Sequence, residues 1–219
     1  MSTALKIFYC FEALPCFVGF LYWKKVGNSY FKWFVIYLLY IFLADLAGAI
    51  IKLCNFHNEL YYDYFVVPIE FLFLFWLFYK TFQDYKYKRL PIIFTGTYLS
   101  SFLIDVIFFS KHPFPFYSFS YSIGNLLLLL LILRFFLLLI SSDDVLQYRT
   151  NMMFWICIGL LVYYLGSFPF YGLKNNFAHK YLKLLKIYNN IALILDCIMY
   201  LMFTFSFIWG KPNSRYSQS

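Results

Sequence analysis

The stretch NLLLLLLILRFFLLLI, Asn125–Ile140, decides the fold class. It carries a single charge, Arg134, and the apolar run it ends reaches back to Phe116. A hydrocarbon core of ~30 Å needs ~20 helical residues, so this segment is long enough to cross a bilayer. Working outward, six more runs have the same character: Ile7–Trp23, Phe31–Leu53, Leu60–Tyr79, Leu90–Phe109, Met152–Leu173 and Ile187–Trp209. They are continuous instead of alternating over ~10 residues, which predicts helices and not barrel strands. The connections are short, and no soluble domain or low-complexity tract separates them. The expected fold is an all-α membrane protein, with residues 1–210 as one seven-helix transmembrane bundle and 211–219 as a polar C-terminal tail.

Composition supports this. Of 219 residues, 63% are hydrophobic, 26% are aromatic and only 13% are charged, against roughly a quarter charged in a typical soluble domain. A soluble exterior could not be built from so few charges. Disorder is excluded because abundant Leu, Ile and Phe can bury. The cysteine count is odd, and Cys10, Cys16, Cys157 and Cys197 lie inside apolar runs, which argues against a disulfide framework. The net charge of +8 sits mainly between the runs, so topology and lipid headgroups explain it better than nucleic acid. The first run contains Glu12, lacks a small-residue cleavage site and is followed by Lys24 and Lys25, so it is read as a membrane helix and not a cleaved leader.

Orientation follows from positive charge in short loops. The first, third and fifth loops and the C-terminus hold ten Lys and Arg, against seven on the opposite side. The bias predicts an outside N-terminus and a cytoplasmic C-terminus in the cytoplasmic (inner) membrane. The Lys-rich sixth loop works against it. Pro15 and Pro68 fall within the first and third runs, where a missing donor can kink a helix or free a carbonyl. The sixth run holds Gly159, Gly166, Pro169 and Gly172; the glycines allow close helix approach and Pro169 marks termination. Pro91 begins its helix, where proline is harmless. These breakers fit either packing and helix ends, or a broken transporter helix.

Charges at bilayer depth are costly unless they find a partner, a cavity or a proton, which makes them the candidate site. They are Glu12, Asp45, Glu70, Asp105, Arg134 and Asp196. Counted from the face bearing the N-terminus, Asp45, Glu70 and Asp196 lie about eight or nine residues in, or ~12–14 Å. Glu12 and Asp105 lie about five residues in, so all five carboxyl groups fall in one half of the membrane. Arg134 lies beyond the midplane and is expected to snorkel toward the other interface. Asn125, Asn189, Asn190, Ser101, Ser122, Tyr40, Tyr64, Tyr121 and Tyr188 are potential partners at similar depth. The expectation is an acid-lined, ligand- or proton-binding pocket with Asp45, Glu70 and Asp196 at its floor and Asn125 and Asn190 nearby. The competing reading is neutral acids and amides joining helices by hydrogen bonds. His57, His112 and His179 all fall in expected loops on that face and are weak metal candidates, since no pair has helical ligand spacing. No metal or cofactor is assigned.

Absences narrow the chemistry. The seventh run has no lysine near its middle for a retinal Schiff base, and no G-x-S-x-G elbow, H-E-x-x-H pair or late H-x-x-x-H motif occurs. FLAD at Phe42–Asp45 echoes FLID at Phe102–Asp105, too short a likeness to establish a repeat.

The segments YWKKVGNSYFKWF, FLADLAG and NELYYDYFVVPIEFLFLF, with FWICIGLLVYYLGSF and YNNIALILDCIMYLMFTFSFIWGKP later, resemble a family of small seven-helix integral membrane proteins frequent in Bacteroidota. The likeness spans most of the chain through short apolar motifs. It implies the topology, and it places Asp45, Glu70, Tyr163, Gly166 and Asn190 at recurring positions. The fifth helix departs from it, with SIGN at Ser122–Asn125 where an acid is common. The resemblance implies no reaction. With no nucleophile–base pair recognisable, the expected role is non-enzymatic: a subunit of a membrane complex or a receptor-like sensor. The long lipid-facing run Leu126–Leu139 would suit contact with other membrane subunits or a second copy. The alternatives are a transporter or proton/cation pathway using the carboxylates, and an intramembrane lipid hydrolase.

Overall fold

The structure is a computed structural model that describes residues 3–54, 58–109, 118–141, 148–180 and 182–212. Among these the chain is helical, with no strand and one isolated bridge between Asn151 and Lys211. The helices are α1 (Thr3–Leu21), α2 (Trp23–Val26), α3 (Phe31–Leu53), α4 (Glu59–Tyr61), α5 (Val67–Thr81), α6 (Leu90–Ile104), α7 (Ser118–Ile140), α8 (Met152–Lys180) and α9 (Leu182–Trp209). Two π-helical turns interrupt the pattern, Tyr62–Val66 before α5 and Asp105–Phe109 after α6. Among the described residues the apolar runs are helical almost throughout. Among the described residues five are long and apolar enough to cross a membrane: Phe31–Leu53, Tyr62–Thr81, Leu90–Phe108, Phe119–Ile140 and Ile187–Trp209. Met152–Ser167 is a shorter apolar helix.

The outer faces are as apolar as the interior. Phe17 is 66% exposed, Ile93 62% and Ile194 60%. A water-soluble bundle would place charge at such positions, so the composition of the surface, like that of the chain, fits a multi-pass membrane protein.

The chain forms two compact units. The first is Met1–Phe42, Leu129–Gly166 and Asn190–Ser219; the second is Leu43–Leu128 and Ser167–Asn189. In the first, Phe34, Phe203 and Phe207 are buried together, with Phe34 edge-on to Phe203 at 5.2 Å. Small residues set the spacing as expected for the sixth run. A β-carbon at Gly159 would stand 3.0 Å from the Met202 β-carbon and 3.1 Å from the Met199 carbonyl oxygen. Gly166 likewise receives the Leu195 side chain. Asn151 caps α8 by accepting the Met153 N–H at 2.9 Å. At the other end of the sequence, the Lys25 ammonium donates to the Phe207 and Ile208 carbonyls at 2.8 and 3.1 Å. The last carbonyls of α9 have no intrahelical donors and carry the negative end of the helix dipole, so a cation satisfies both.

In the second unit Phe71, Leu74, Phe75 and Phe78 recur at helical spacing along α5 and are buried. The Phe71 ring lies 5.0 Å from Tyr98 and 5.6 Å from Tyr121. Gly124 lets α7 approach them: a β-carbon there would stand 3.0 Å from both the Phe71 and Tyr98 rings.

Three expectations change. Pro169 does not end its helix, because α8 continues to Lys180. His179 therefore lies on α8 and not in a loop; its side chain, with His57 and His112, is outside the described residues. The leucine run of α7 is not wholly outward-facing: Leu128, Leu131, Ile132, Phe135 and Leu139 are buried while Leu126, Leu130, Leu133 and Leu137 are exposed. One stripe packs inward at the helical period, leaving the other to the exterior.

Candidate functional site

Two acids of the second unit, Asp63 and Asp105, lie in the two π turns. A π turn holds one residue more than an α turn, so it rotates the side chains that follow and leaves local backbone groups to find other partners. The first ends immediately before Val67 and Pro68, the opening residues of α5. Proline has no N–H to give the turn before it, and a widened turn is one way a helix absorbs that loss. Asp63 lies in this turn and is 4% exposed. The second π turn opens on Asp105, 2% exposed.

Both aspartates belong to the unit that buries Tyr98. Tyr98 on α6 is 1% exposed, and Glu70, Asp105 and Asp63 all lie within electrostatic reach of its hydroxyl. Phe71, next to Glu70, packs on the Tyr98 ring, so α5 carries both the acid and the aromatic wall of the cluster. Asn125, fully buried, follows Tyr121 by one turn on α7. Asp105 also has a structural duty: its Oδ2 accepts the Ser120 backbone N–H at 2.6 Å, within the first turn of α7. That N–H has no intrahelical acceptor, and a carboxyl at a helix start also meets the positive end of the dipole. Replacing Asp105 by alanine is expected to lower stability by about 1–3 kcal/mol, since a buried donor loses its acceptor. Asparagine, whose amide oxygen can still accept, should cost less. Chemical unfolding of both variants, with deuterium exchange at Ser120, checks the order; equal losses would refute the capping role.

Asp45 belongs to a second contact in the same unit. The Tyr62 hydroxyl donates to Asp45 Oδ1 at 2.9 Å, and the Tyr61 hydroxyl to the Ala44 carbonyl at 3.3 Å. Gly48 makes room, since a β-carbon there would collide with the Tyr62 ring and hydroxyl. This fastens the end of α3 to the first π turn.

In the first unit Glu12, 1% exposed, accepts the Tyr200 hydroxyl at 3.2 Å. Asp196 lies one turn before Tyr200 on α9 and is half-buried, and Asn190 is exposed. Of the residues expected at the pocket floor, Asp45 and Glu70 belong to the second unit and Asp196 to the first. Sequence reasoning missed Asp63, Tyr62, Tyr98 and Tyr200. The available signal was Asp63 in a tyrosine-rich segment five residues before Pro68. Among the described residues no three of His, Cys, Asp and Glu come together in a way that could hold a metal ion.

Chemically, carboxyl groups in a buried neighbourhood attract positive charge. Comparison with known proteins returns no match, whether to protein-family models, curated proteins or solved structures.

Proposed function

We propose that the chain is a seven-span protein of the cytoplasmic membrane, its N-terminus outside and its C-terminus cytoplasmic. It acts non-enzymatically as a receptor-like sensor or complex subunit. Its responsive element is the group Asp63, Glu70 and Asp105 around Tyr98, which takes up a proton or a cationic ligand group. The observation that supports this reading is that Asp63 and Asp105, both buried, lie in two separate π turns of the unit that also holds Glu70 and the buried Tyr98. π turns cost backbone hydrogen bonding and occur frequently at functional sites.

The test is infrared difference spectroscopy of the protein in lipid nanodiscs on a step from alkaline to acid pH. A rise in the carboxyl C=O band is expected, and Glu70→Gln and Asp63→Asn should each reduce it. A band that does not change, or that both variants preserve, overturns the proposal. The π turns also favour a second reading, a proton-coupled transporter, because interrupted helices line transport sites. Proton uptake by vesicles carrying the protein, lost in Glu70→Gln, would select that reading over the sensor.

A further inference from the structure

The chain has five tryptophans, and four belong to one end of the first unit. Trp23 opens α2, Trp33 lies in the first turn of α3, Trp155 in the first turn of α8, and Trp209 ends α9. Only Trp76, on α5, lies elsewhere. These ends are tied to one another. The Trp155 indole donates to the Arg149 carbonyl at 2.8 Å and its ring lies 5.8 Å from Trp209. The Lys211 N–H donates to the Thr150 carbonyl at 2.6 Å, and Lys25 holds the carbonyls that end α9.

Cations accompany the aromatics. Lys32 stands 5.9 Å from the Trp33 ring, Lys25 5.3 Å from Tyr22 and Arg149 5.7 Å from Tyr148. Lys24, Arg149 and Lys211 are exposed. Lys25 is held below the ordinary lysine range, first by burial and then by the positive charge of Lys211. The described acids of this unit, Glu12 and Asp196, sit well inside α1 and α9; Asp143 and Asp144 are outside the described residues. Beside the cations lie exposed apolar side chains, Phe20 at 46% and Leu21 at 66%, with Phe20 stacked on Trp23 at 5.8 Å.

We infer that this end of the unit is a binding surface for anionic phospholipid, with Lys24, Arg149 and Lys211 on the headgroup phosphate and the Phe20–Trp23 face against the acyl chains. Guanidinium and ammonium groups match phosphate oxygens, indole rings settle at headgroup level, and anionic leaflets attract juxtamembrane cations. A soluble phosphate would satisfy the cations but leave the neighbouring apolar face uncovered, which is why a lipid is the occupant. The inference rests on the membrane reading proposed above.

Tryptophan fluorescence reads the surface directly, since four of its five sources lie there. The protein is reconstituted in phosphatidylcholine vesicles containing equal mole fractions of brominated phosphatidylcholine or brominated phosphatidylglycerol. Quenching by the anionic lipid should exceed quenching by the neutral one about twofold. Lys24→Gln with Arg149→Gln should abolish the preference, and Lys32→Gln with Lys211→Gln should weaken it. Lys86→Gln with Lys88→Gln, in the exposed turn between α5 and α6, should leave it intact. Equal quenching by the two lipids, a preference kept by both surface variants, or loss of the preference in inorganic phosphate at constant ionic strength overturns the inference. Absence of quenching by either lipid overturns the membrane reading itself.

Discussion

Replacing Phe71 by alanine is expected to lower the free energy of unfolding by about 3 kcal/mol. The ring is fully buried, lies 5.0 Å from Tyr98 and 5.6 Å from Tyr121, and reaches the backbone of α7 at Gly124. In a lipid surround the hydrophobic transfer gain shrinks, because acyl chains are as apolar as the core. What remains is dispersion lost across an unfilled cavity walled by two helices and stacked rings. Phe71→Leu, which fills most of the space, should cost well under half as much. The comparison is made by chemical unfolding in bicelles. An alanine variant within about 1 kcal/mol of wild type would mean that the wall collapses onto the gap and that Phe71 does not hold Tyr98 in place.

The second large effect is expected at Gly210. A β-carbon there would stand 2.7 Å from the Met152 α-carbon and 2.6 Å from its γ-carbon, and would also collide with the Ser206 carbonyl. Two of these three atoms belong to the backbone, so no rotamer change relieves the clash. Gly210→Ala must instead push the end of α9 from the start of α8, straining the Asn151–Lys211 bridge and the Trp155–Trp209 contact. The expected loss is about 3 kcal/mol, at the upper end for overpacking. Gly96→Ala is the control. Nothing lies within 4 Å of a β-carbon there, so alanine's higher helix propensity should leave stability equal or slightly raised. A Gly210→Ala protein that melts with the Gly96→Ala protein would disprove the close approach.

What could be read beforehand, and what could not, follows from how each signal is encoded. The apolar runs are local and strong, and their described residues are almost all helical. Their ends were less legible, because hydropathy marks which residues suit lipid and not where hydrogen bonding stops. α8 therefore passes through Pro169 and carries His179 beyond the apolar stretch. A run of near-identical leucines has no periodicity of its own, so the inward stripe of α7 at Leu128, Leu131 and Phe135 emerges only when the helix has neighbours. The π turns leave no trace in hydropathy; Pro68 alone hinted at the first. Counting depth from the end of a run therefore kept Glu70 and Asp105 as candidates but passed over Asp63. Tyr98 was invisible for another reason: one tyrosine among 22 has no mark of its own until packing selects it.

The clasp between Lys25 and the last carbonyls of α9 bears on the order in which the molecule is assembled. Its partners stand 182 residues apart, so the ammonium has nothing to hold until α9 has been made. The aromatic wall around Phe71 and the Asp105 cap on α7, by contrast, draw only on Leu43–Leu128, an unbroken stretch available much earlier. Packing around Tyr98 can therefore begin during translation, whereas α2 waits for α9 before its own neighbourhood closes.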